Sequence, residues 1–180
     1  DCLLQTSNGD IYVGTWGNLW KSSDQGQTWI DVLEDKEVVL SLLQTSNGDI
    51  YVGDGTGLWK SSDQGQTWID VLEDEWVDCL LQTSNGDIYV GTWGNLWKSS
   101  DQGQTWTNVL EGWDESLLQT SNGDIYVGTN NGNLWKSSDQ GQTWTNVLHL
   151  YVVASLLQTS NGDIYAGDGD SSDGGLWKSS

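Results

Sequence analysis

The chain has 180 residues, with 23 glycines and 13 tryptophans but no proline, methionine or phenylalanine. This length suits a single domain, and no apolar run approaches the roughly 18 residues that a membrane-spanning segment needs. The net charge of −20 argues against binding to nucleic acids or to anionic membranes, because both would repel the chain. We therefore expect ligands that are neutral or cationic.

A repeat of about forty residues organises the sequence. The segment Leu-Leu-Gln-Thr-Ser-Asn-Gly-Asp-Ile-Tyr begins at Leu3, Leu42, Leu80, Leu117 and Leu156, and successive starts lie 39, 38, 37 and 39 residues apart. This is the period of a four-stranded propeller blade. We predict one domain over residues 1–180, with blades over residues 1–34, 38–73, 76–111, 113–148 and 151–180.

Each repeat reads as short strands in chain order. In the first repeat, Cys2–Thr6 predicts strand A, and the Asn-Gly turn of residues 7–10 leads into strand B at Ile11–Thr15. Alternating apolar and polar residues predict strand C at Asn18–Ser22 and strand D at Thr28–Leu33. The fifth repeat ends after strand C. The prediction is an all-β, five-bladed β-propeller of four-stranded antiparallel blades, the last lacking its outermost strand.

The turn between strands C and D is the most distinctive motif. Ser-Ser-Asp-Gln-Gly-Gln-Thr-Trp occupies residues 22–29 and recurs at 61–68, 99–106 and 137–144. Asp24 is placed to accept hydrogen bonds from its own turn, Gly26 to supply a positive φ, and Trp29 to cover the turn. The corresponding positions in the other copies are Asp63, Gly65, Trp68, Asp101, Gly103, Trp106, Asp139, Gly141 and Trp144.

This motif resembles the Asp box of the bacterial neuraminidase repeat propellers, a family that includes sialidases, sortilin-like receptor domains, xyloglucanases and lectins. The resemblance covers essentially the whole chain and implies that the four boxes are structural turns, away from the ligand site. Sialidases of this family bind the sialic acid carboxylate with three arginines. The chain has no arginine, and lysine does not reproduce the bidentate fork, so we expect no sialidase activity.

Differences between the repeats collect in the B–C loops and the D–A connections. These connections emerge at the same end of an up-and-down blade, so they form one variable face, and binding residues commonly lie on such loops. Outside the fixed repeat positions, the tryptophans all fall in these segments: Trp16, Trp76, Trp93 and Trp113.

Aromatic faces beside carboxylates and amides suit neutral sugars, and they also suit cations through cation–π contact. We predict a non-catalytic, lectin-like module that binds glycans or small polar ligands and needs neither cofactor nor metal. The predicted ligand-binding residues are Trp16, Asn18, Trp93, Asn95, Trp76, Trp113, Tyr151, Asp78 and Glu115. Trp16 and Trp93 belong to identical Thr-Trp-Gly-Asn loops, which predicts two equivalent pockets.

Two alternative functions remain open. The near-identity of the repeats is typical of an engineered or recently amplified scaffold that has no established ligand. The acids Asp1, Asp78 and Glu115 precede strand A in three repeats, and clustered carboxylates are what a glycoside hydrolase uses. Nothing in the sequence indicates the separation that such a pair needs, so we expect no enzyme.

Two further features concern the end of the chain. Residues Asp168–Gly175 resemble a calcium loop, but the third acid arrives one residue late, which favours a solvated loop. Strand C of the fifth repeat, Leu176–Ser179, is predicted to be an exposed edge. An exposed edge pairs readily with another chain, so we expect either a homodimer through this strand or a tolerated three-stranded blade.

Overall fold

The computed structural model describes residues 2–34, 36–169 and 175–179, which contain strands and turns but no helix. Within these ranges, accordingly, no helix is available to cross a membrane. Asp1 and most of the Asp168–Gly175 loop lie outside the described residues. The chain divides into two compact units, Asp1–Gln82 and Thr83–Ser180, which are described in turn.

The first unit contains two four-stranded antiparallel sheets, each with its strands in sequential order, and one further strand. The strands are β1 (Cys2–Gln5), β2 (Ile11–Gly14), β3 (Leu19–Ser22), β4 (Ile30–Leu33), β5 (Val39–Gln44), β6 (Ile50–Asp54), β7 (Gly57–Ser61), β8 (Ile69–Glu73) and β9 (Val77–Gln82). Tyr12, Leu19, Val39, Ile50 and Val52 form the buried core between the two sheets.

The second unit continues the same pattern, but two of its strands are longer than predicted. Its strands are β10 (Ile88–Ser99), β11 (Thr107–Gln119), β12 (Ile125–Thr129), β13 (Asn133–Ser137), β14 (Thr145–His149), β15 (Val153–Gln158), β16 (Ile164–Asp168) and β17 (Leu176–Ser179). The pairing of β10 with β11 runs through Trp93 and Gly94, opposite Trp113 and Gly112, where the sequence predicts loops. The last sheet, β15-β16-β17, has three strands.

These sheets confirm the predicted fold class, an all-β propeller of five antiparallel blades whose last blade lacks its outermost strand. Neighbouring blades are held close by glycines. A Cβ added to Gly53 would overlap Val77 and Ser41, and one added to Gly128 would overlap Val153 and Ser116. Only glycine therefore permits the valine of the next blade to pack against strand B at these points.

A recurring set of hydrogen bonds also joins one blade to the next, and we call it the blade clamp. In the first unit, Tyr12 Oη and Lys21 Nζ each donate to the carbonyl oxygen of Gln64 at 2.8 Å. The Ser7 amide donates to Gln44 Oε1 at 2.7 Å. Gln64 lies in the Asp-box turn of the second blade, so the boxes also fasten neighbouring blades.

The second unit repeats this clamp. Tyr89 Oη and Lys98 Nζ donate to the carbonyl oxygen of Gln140 at 2.8 Å. The Ser121 amide donates to Gln158 Oε1 at 2.7 Å. The clamp is thus a property of the repeat.

Candidate functional site

Each Asp box is a network of hydrogen bonds among the residues of its own turn. Asp24 Oδ1 accepts hydrogen bonds from the Thr28 amide at 2.9 Å and from Ser22 Oγ at 2.8 Å, and its Oδ2 accepts from Thr28 Oγ1 at 2.6 Å. Gly26 has a φ of 85°, and its amide donates to Ser22 Oγ at 2.8 Å. The hydrogen bonds from Thr28 and Ser22 favour the ionised carboxylate and lower the pKa of Asp24 to about 2.

The same carboxylate-to-threonine bonds recur at the other three boxes, and the pKa of each aspartate is lowered to about 2. The aspartates concerned are Asp63, Asp101 and Asp139. Their turn glycines, Gly65, Gly103 and Gly141, also have positive φ angles. In the first copy, Trp29 Nε1 donates to the carbonyl oxygen of Gly26 at 3.2 Å. Because each carboxylate is occupied by its own turn, these residues serve the fold.

On the variable connections of the second unit, the structure brings two tryptophans together. Trp93 of β10 and Trp113 of β11 are Cα partners across the strand pair. Their ring centroids lie 5.4 Å apart with an angle of 10° between the planes, and 58% of Trp93 and 51% of Trp113 is exposed. Gly94 beside this pair has a φ of 139°, a backbone conformation that favours glycine.

A groove of about 420 Å³ lies beside this pair, and we call it the tryptophan groove. It is lined by Gly94, Glu111, Gly112, Trp113, Asn130 and Asn131. The Asn130 amide nitrogen of the backbone donates to the carbonyl oxygen of Trp113 at 2.8 Å, and its side-chain nitrogen donates to Glu115 Oε1 at 2.8 Å. An indole, amides and carboxylates therefore meet at one surface.

Asn130 and Asn131 were not among the predicted site residues. They belong to the B–C loop of the fourth repeat, Thr-Asn-Asn-Gly-Asn over residues 129–133, which is the one B–C loop with two adjacent amides. This pair of adjacent asparagines is the sequence signal that could have identified the loop as part of the site. Their proximity to Trp113 depends on β11 pairing with β12, which the loop sequence alone does not indicate.

The identical loop of the first blade has different surroundings. Trp16 forms an isolated bridge with Val38, and its indole is exposed. Val38 carries no ring to stack on, so the two Thr-Trp-Gly-Asn loops are not equivalent in the structure.

Both loop asparagines are tied to strand D. The Asn18 side-chain amide donates to the Asp31 carboxylate, and Asn95 Oδ1 accepts from Asn108 Nδ2 at 2.5 Å. These pairs fix the base of each loop.

Trp76 and Asp78 form a local pair in the first unit. Trp76 Nε1 donates to Asp78 Oδ1 at 3.0 Å. The indole is half-buried and lies over Gly55, where an added Cβ would approach a ring carbon within 3.1 Å. In the same unit, Lys36 Nζ lies 3.3 Å from the centroid of the Trp59 ring, so a cation already covers that indole.

Tyr151, the remaining predicted ligand-binding residue, is exposed, and its backbone amide donates to Asp168 Oδ2 at 3.3 Å. His149, which is not among the predicted residues, has its Nδ1 atom 3.0 Å from Asn133 Oδ1. Across the described part of the chain, no group of three or more histidine, cysteine, aspartate or glutamate side chains is arranged to hold a metal ion.

Comparison with known proteins shows that the chain is similar to them in fold. No protein-family model and no curated protein matches the chain. The extracellular domain of BT4673 from B. thetaiotaomicron matches with a TM-score of 0.79 at 18% identity, over 97% of this chain and 26% of that one. The GH74 enzyme of Niastella koreensis matches with a TM-score of 0.67 at 18% identity, over 97% and 28%.

An ancestral GH74 enzyme matches with a TM-score of 0.72 at 18% identity, over 91% of this chain and 26% of that one. The chain therefore spans about a quarter of the length of these proteins. At identities this low, the structural similarity shows a shared fold and nothing more specific.

Proposed function

We propose that this chain is a non-catalytic carbohydrate-binding module that binds its ligand at the tryptophan groove. The observation that carries the proposal is the stacked, half-exposed pair of Trp93 and Trp113 beside the amides of Asn130 and Asn131. Large apolar side chains left exposed together at a polar rim are typical of an interaction site.

The chemistry of the groove matches a neutral sugar. The face of Trp113 offers an apolar plane for the C–H face of a pyranose ring, since an indole provides a large and rigid contact area. The side chain of Glu111 supplies oxygens that accept hydrogen bonds from hydroxyl groups, and the asparagines supply both donors and acceptors. The net charge of −20 disfavours sugars that carry carboxylate or sulfate groups.

The fold comparison supports the same class of ligand. Two of the structural neighbours are GH74 enzymes, so blades of this architecture occur in proteins of carbohydrate chemistry. We propose binding without catalysis, because the two candidate acids that the structure describes accept hydrogen bonds from neighbouring side chains. Asp78 accepts from the Trp76 indole, and Glu115 accepts from Asn130.

Titration against a glycan array, followed by calorimetry with the best glycan, tests the proposal. We expect Trp113→Ala to weaken binding about tenfold, the change that 1.4 kcal/mol produces. Asn130→Ala is expected to weaken it as well, through lost hydrogen bonds. Trp16→Ala is the matched control, since it removes an exposed indole from an identical loop that lacks a stacked partner.

Two results would count against the proposal. If the folded chain bound nothing on a broad array, the alternative of an amplified scaffold without a ligand would be favoured. If Trp113→Ala bound as tightly as the unmodified chain while Trp16→Ala did not, the tryptophan groove would be the wrong site. Thermal melting of each variant separates loss of binding from loss of fold.

A further inference from the structure

The side-chain amide of Asn131 is held in one orientation by a series of hydrogen bonds that begins at a backbone group of β14. The Leu148 amide donates to Asn146 Oδ1 at 3.2 Å, which leaves Asn146 Nδ2 to face the neighbouring strand β13. Asn146 Nδ2 donates to Asn133 Oδ1 at 2.7 Å, and Asn133 Nδ2 donates to Asn131 Oδ1 at 2.8 Å. We call Asn146, Asn133 and Asn131 the amide relay. Because a backbone N–H can only donate, each amide of the relay is oriented by the one before it.

The relay leaves Asn131 with a donor to offer to the tryptophan groove. Asn131 Oδ1 also accepts from Thr129 Oγ1 at 2.6 Å, so both acceptor positions of that oxygen are used. Asn131 Nδ2, by contrast, has no hydrogen-bond partner among the residues that the structure describes. Asn131 is exposed and lines the groove, so this nitrogen is free to donate to a ligand there.

Asn130, the neighbouring residue of the groove, offers the opposite group. Its Nδ2 donates to Glu115 Oε1 at 2.8 Å, and a carboxylate oxygen accepts, so this contact fixes the orientation of the amide. Its Oδ1 has no partner in the described part of the chain. Two adjacent residues therefore present one acceptor and one donor at the groove that Trp113 lines.

The first and third blades show that the residue on strand D decides which atom a loop asparagine presents. In the third blade, Asn108 Nδ2 donates to Asn95 Oδ1, in the same sense as in the amide relay. In the first blade, the corresponding residue is Asp31, whose carboxylate accepts from the Asn18 side-chain amide. Asn18 and Asn95 belong to identical loops, so their opposite orientations follow from aspartate or asparagine on strand D.

We propose that the tryptophan groove selects sugars that carry an acetamido group, and that Asn146 sets this selectivity by orienting Asn131. The inference rests on the proposed carbohydrate-binding function and adds the class of sugar. An acetamido group has a carbonyl oxygen that only accepts and an N–H that only donates, and these match Asn131 Nδ2 and Asn130 Oδ1. Its methyl group provides an apolar contact for the Trp113 indole.

A hydroxyl group does not need oriented amides. It both donates and accepts, so a sugar recognised through hydroxyl groups alone binds an asparagine in either orientation. An acetamido group meets a reversed asparagine with its carbonyl oxygen against Oδ1, and the facing polar atoms are left unpaired. Fixed amides therefore discriminate in favour of a ligand whose own donor and acceptor are fixed.

Pairs of glycans that differ only in a hydroxyl or an acetamido group at one carbon test the proposal. The probes are oligomers of N-acetylglucosamine with those of glucose, and oligomers of N-acetylgalactosamine with those of galactose, first on an array and then by calorimetry. We expect the unmodified chain to bind the acetamido member of its preferred pair about tenfold more tightly, the effect of one or two net hydrogen bonds.

Asn146→Asp tests the relay, because residue 146 does not line the groove. An aspartate there has no donor, so Asn133 turns to donate to it, and Asn131 turns in response and presents Oδ1. We expect the acetamido preference to fall about tenfold, while the affinity for the hydroxyl member changes little. His149 tolerates the reversal, since its Nδ1 atom, 3.0 Å from Asn133 Oδ1, accepts a hydrogen bond in the other tautomer.

Asn131→Asp is the second variant, which removes the donor directly from an exposed side chain of similar size, and it should lose the preference as well. Asn108→Asp is the matched control. It makes the same change at the same position of the third blade, and neither Asn108 nor its partner Asn95 lines the groove. It should keep the preference of the unmodified chain. Circular dichroism verifies that each variant is folded.

The outcomes separate this inference from the proposed function. Glycan binding that depends on Trp113 but shows no acetamido preference overturns the inference and leaves the proposed function standing. A preference that survives in both folded variants, Asn146→Asp and Asn131→Asp, overturns it as well. If no glycan of either kind binds the folded chain, the proposed function itself fails and the inference falls with it.

Discussion

Trp93 and Trp113 face each other across β10 and β11 with parallel rings whose centroids are 5.4 Å apart. Stacked aromatic pairs contribute about 0.5–1.5 kcal/mol beyond the area that they bury. Because Trp93→Ala also loses the area that the ring buries, we expect it to lower the free energy of unfolding by at least this amount and to abolish the exciton couplet of the indole pair in far-UV circular dichroism.

Trp16→Ala serves as the control for this prediction, since it removes the same residue from the same loop sequence. It should leave the couplet unchanged, because Trp16 stands opposite Val38. A couplet that persists in Trp93→Ala and disappears in Trp16→Ala would contradict the assignment of the stacked pair.

The Asp boxes predict how stability depends on pH. The pKa of each box aspartate is about 2 in the folded chain, below the ordinary value of 3.8. A group with a lowered pKa stabilises the fold above its ordinary pKa and loses that effect as the pH falls through its folded value. We therefore expect the melting temperature to drop steeply between about pH 4 and pH 2, since four boxes act together.

A substitution in one Asp box tests whether the boxes cause this acid-induced drop in melting temperature. Asp63→Asn removes the charge that accepts hydrogen bonds from Ser61 and Thr67, so it should lower the melting temperature at neutral pH and make the acid-induced drop shallower. Asp74→Asn is the control, because Asp74 is exposed and has a φ of 60°, which asparagine also tolerates. Identical acid profiles for Asp63→Asn and the unmodified chain would exclude the boxes as the source.

A glycine substitution tests the close packing of blades. A Cβ at Gly53 would overlap Val77 and Ser41, so Gly53→Ala should destabilise the chain by about 1–3 kcal/mol, the usual cost of overpacking. Gly167→Ala is the same substitution in the fifth blade, where Ser155 is the only described residue close to the added Cβ, and the Ser155 side chain is exposed. Chemical denaturation should show the smaller loss for Gly167→Ala, and equal losses would contradict the valine contact.

The sequence predicts the blades well because their signals are local and repeated. The turn around Asp24 follows from residue types that are adjacent in the chain, and its hydrogen bonds in fact close within residues 22–28. The pairing of Trp93 with Trp113 could not be predicted in this way. The loops of Trp16 and Trp93 have identical sequences, and what distinguishes them is the residue that the following D–A connection places opposite, Val38 or Trp113.

The blade clamp gives the last prediction. Tyr12 is 0% exposed, and its hydroxyl donates to the carbonyl oxygen of Gln64. Tyr12→Phe removes this bond but keeps the ring, and Lys21 Nζ still donates to the same carbonyl, so no buried acceptor is left without a partner. We therefore expect a modest loss of about 0.5–1.5 kcal/mol in the free energy of unfolding, the usual net value of one hydrogen bond.

Tyr89→Phe should cost a similar amount, because Tyr89 and Lys98 share the carbonyl oxygen of Gln140 in the same way. Tyr165→Phe is the matched control, since among the described residues no turn carbonyl accepts from its hydroxyl. Urea denaturation should give losses for the first two variants and almost none for Tyr165→Phe.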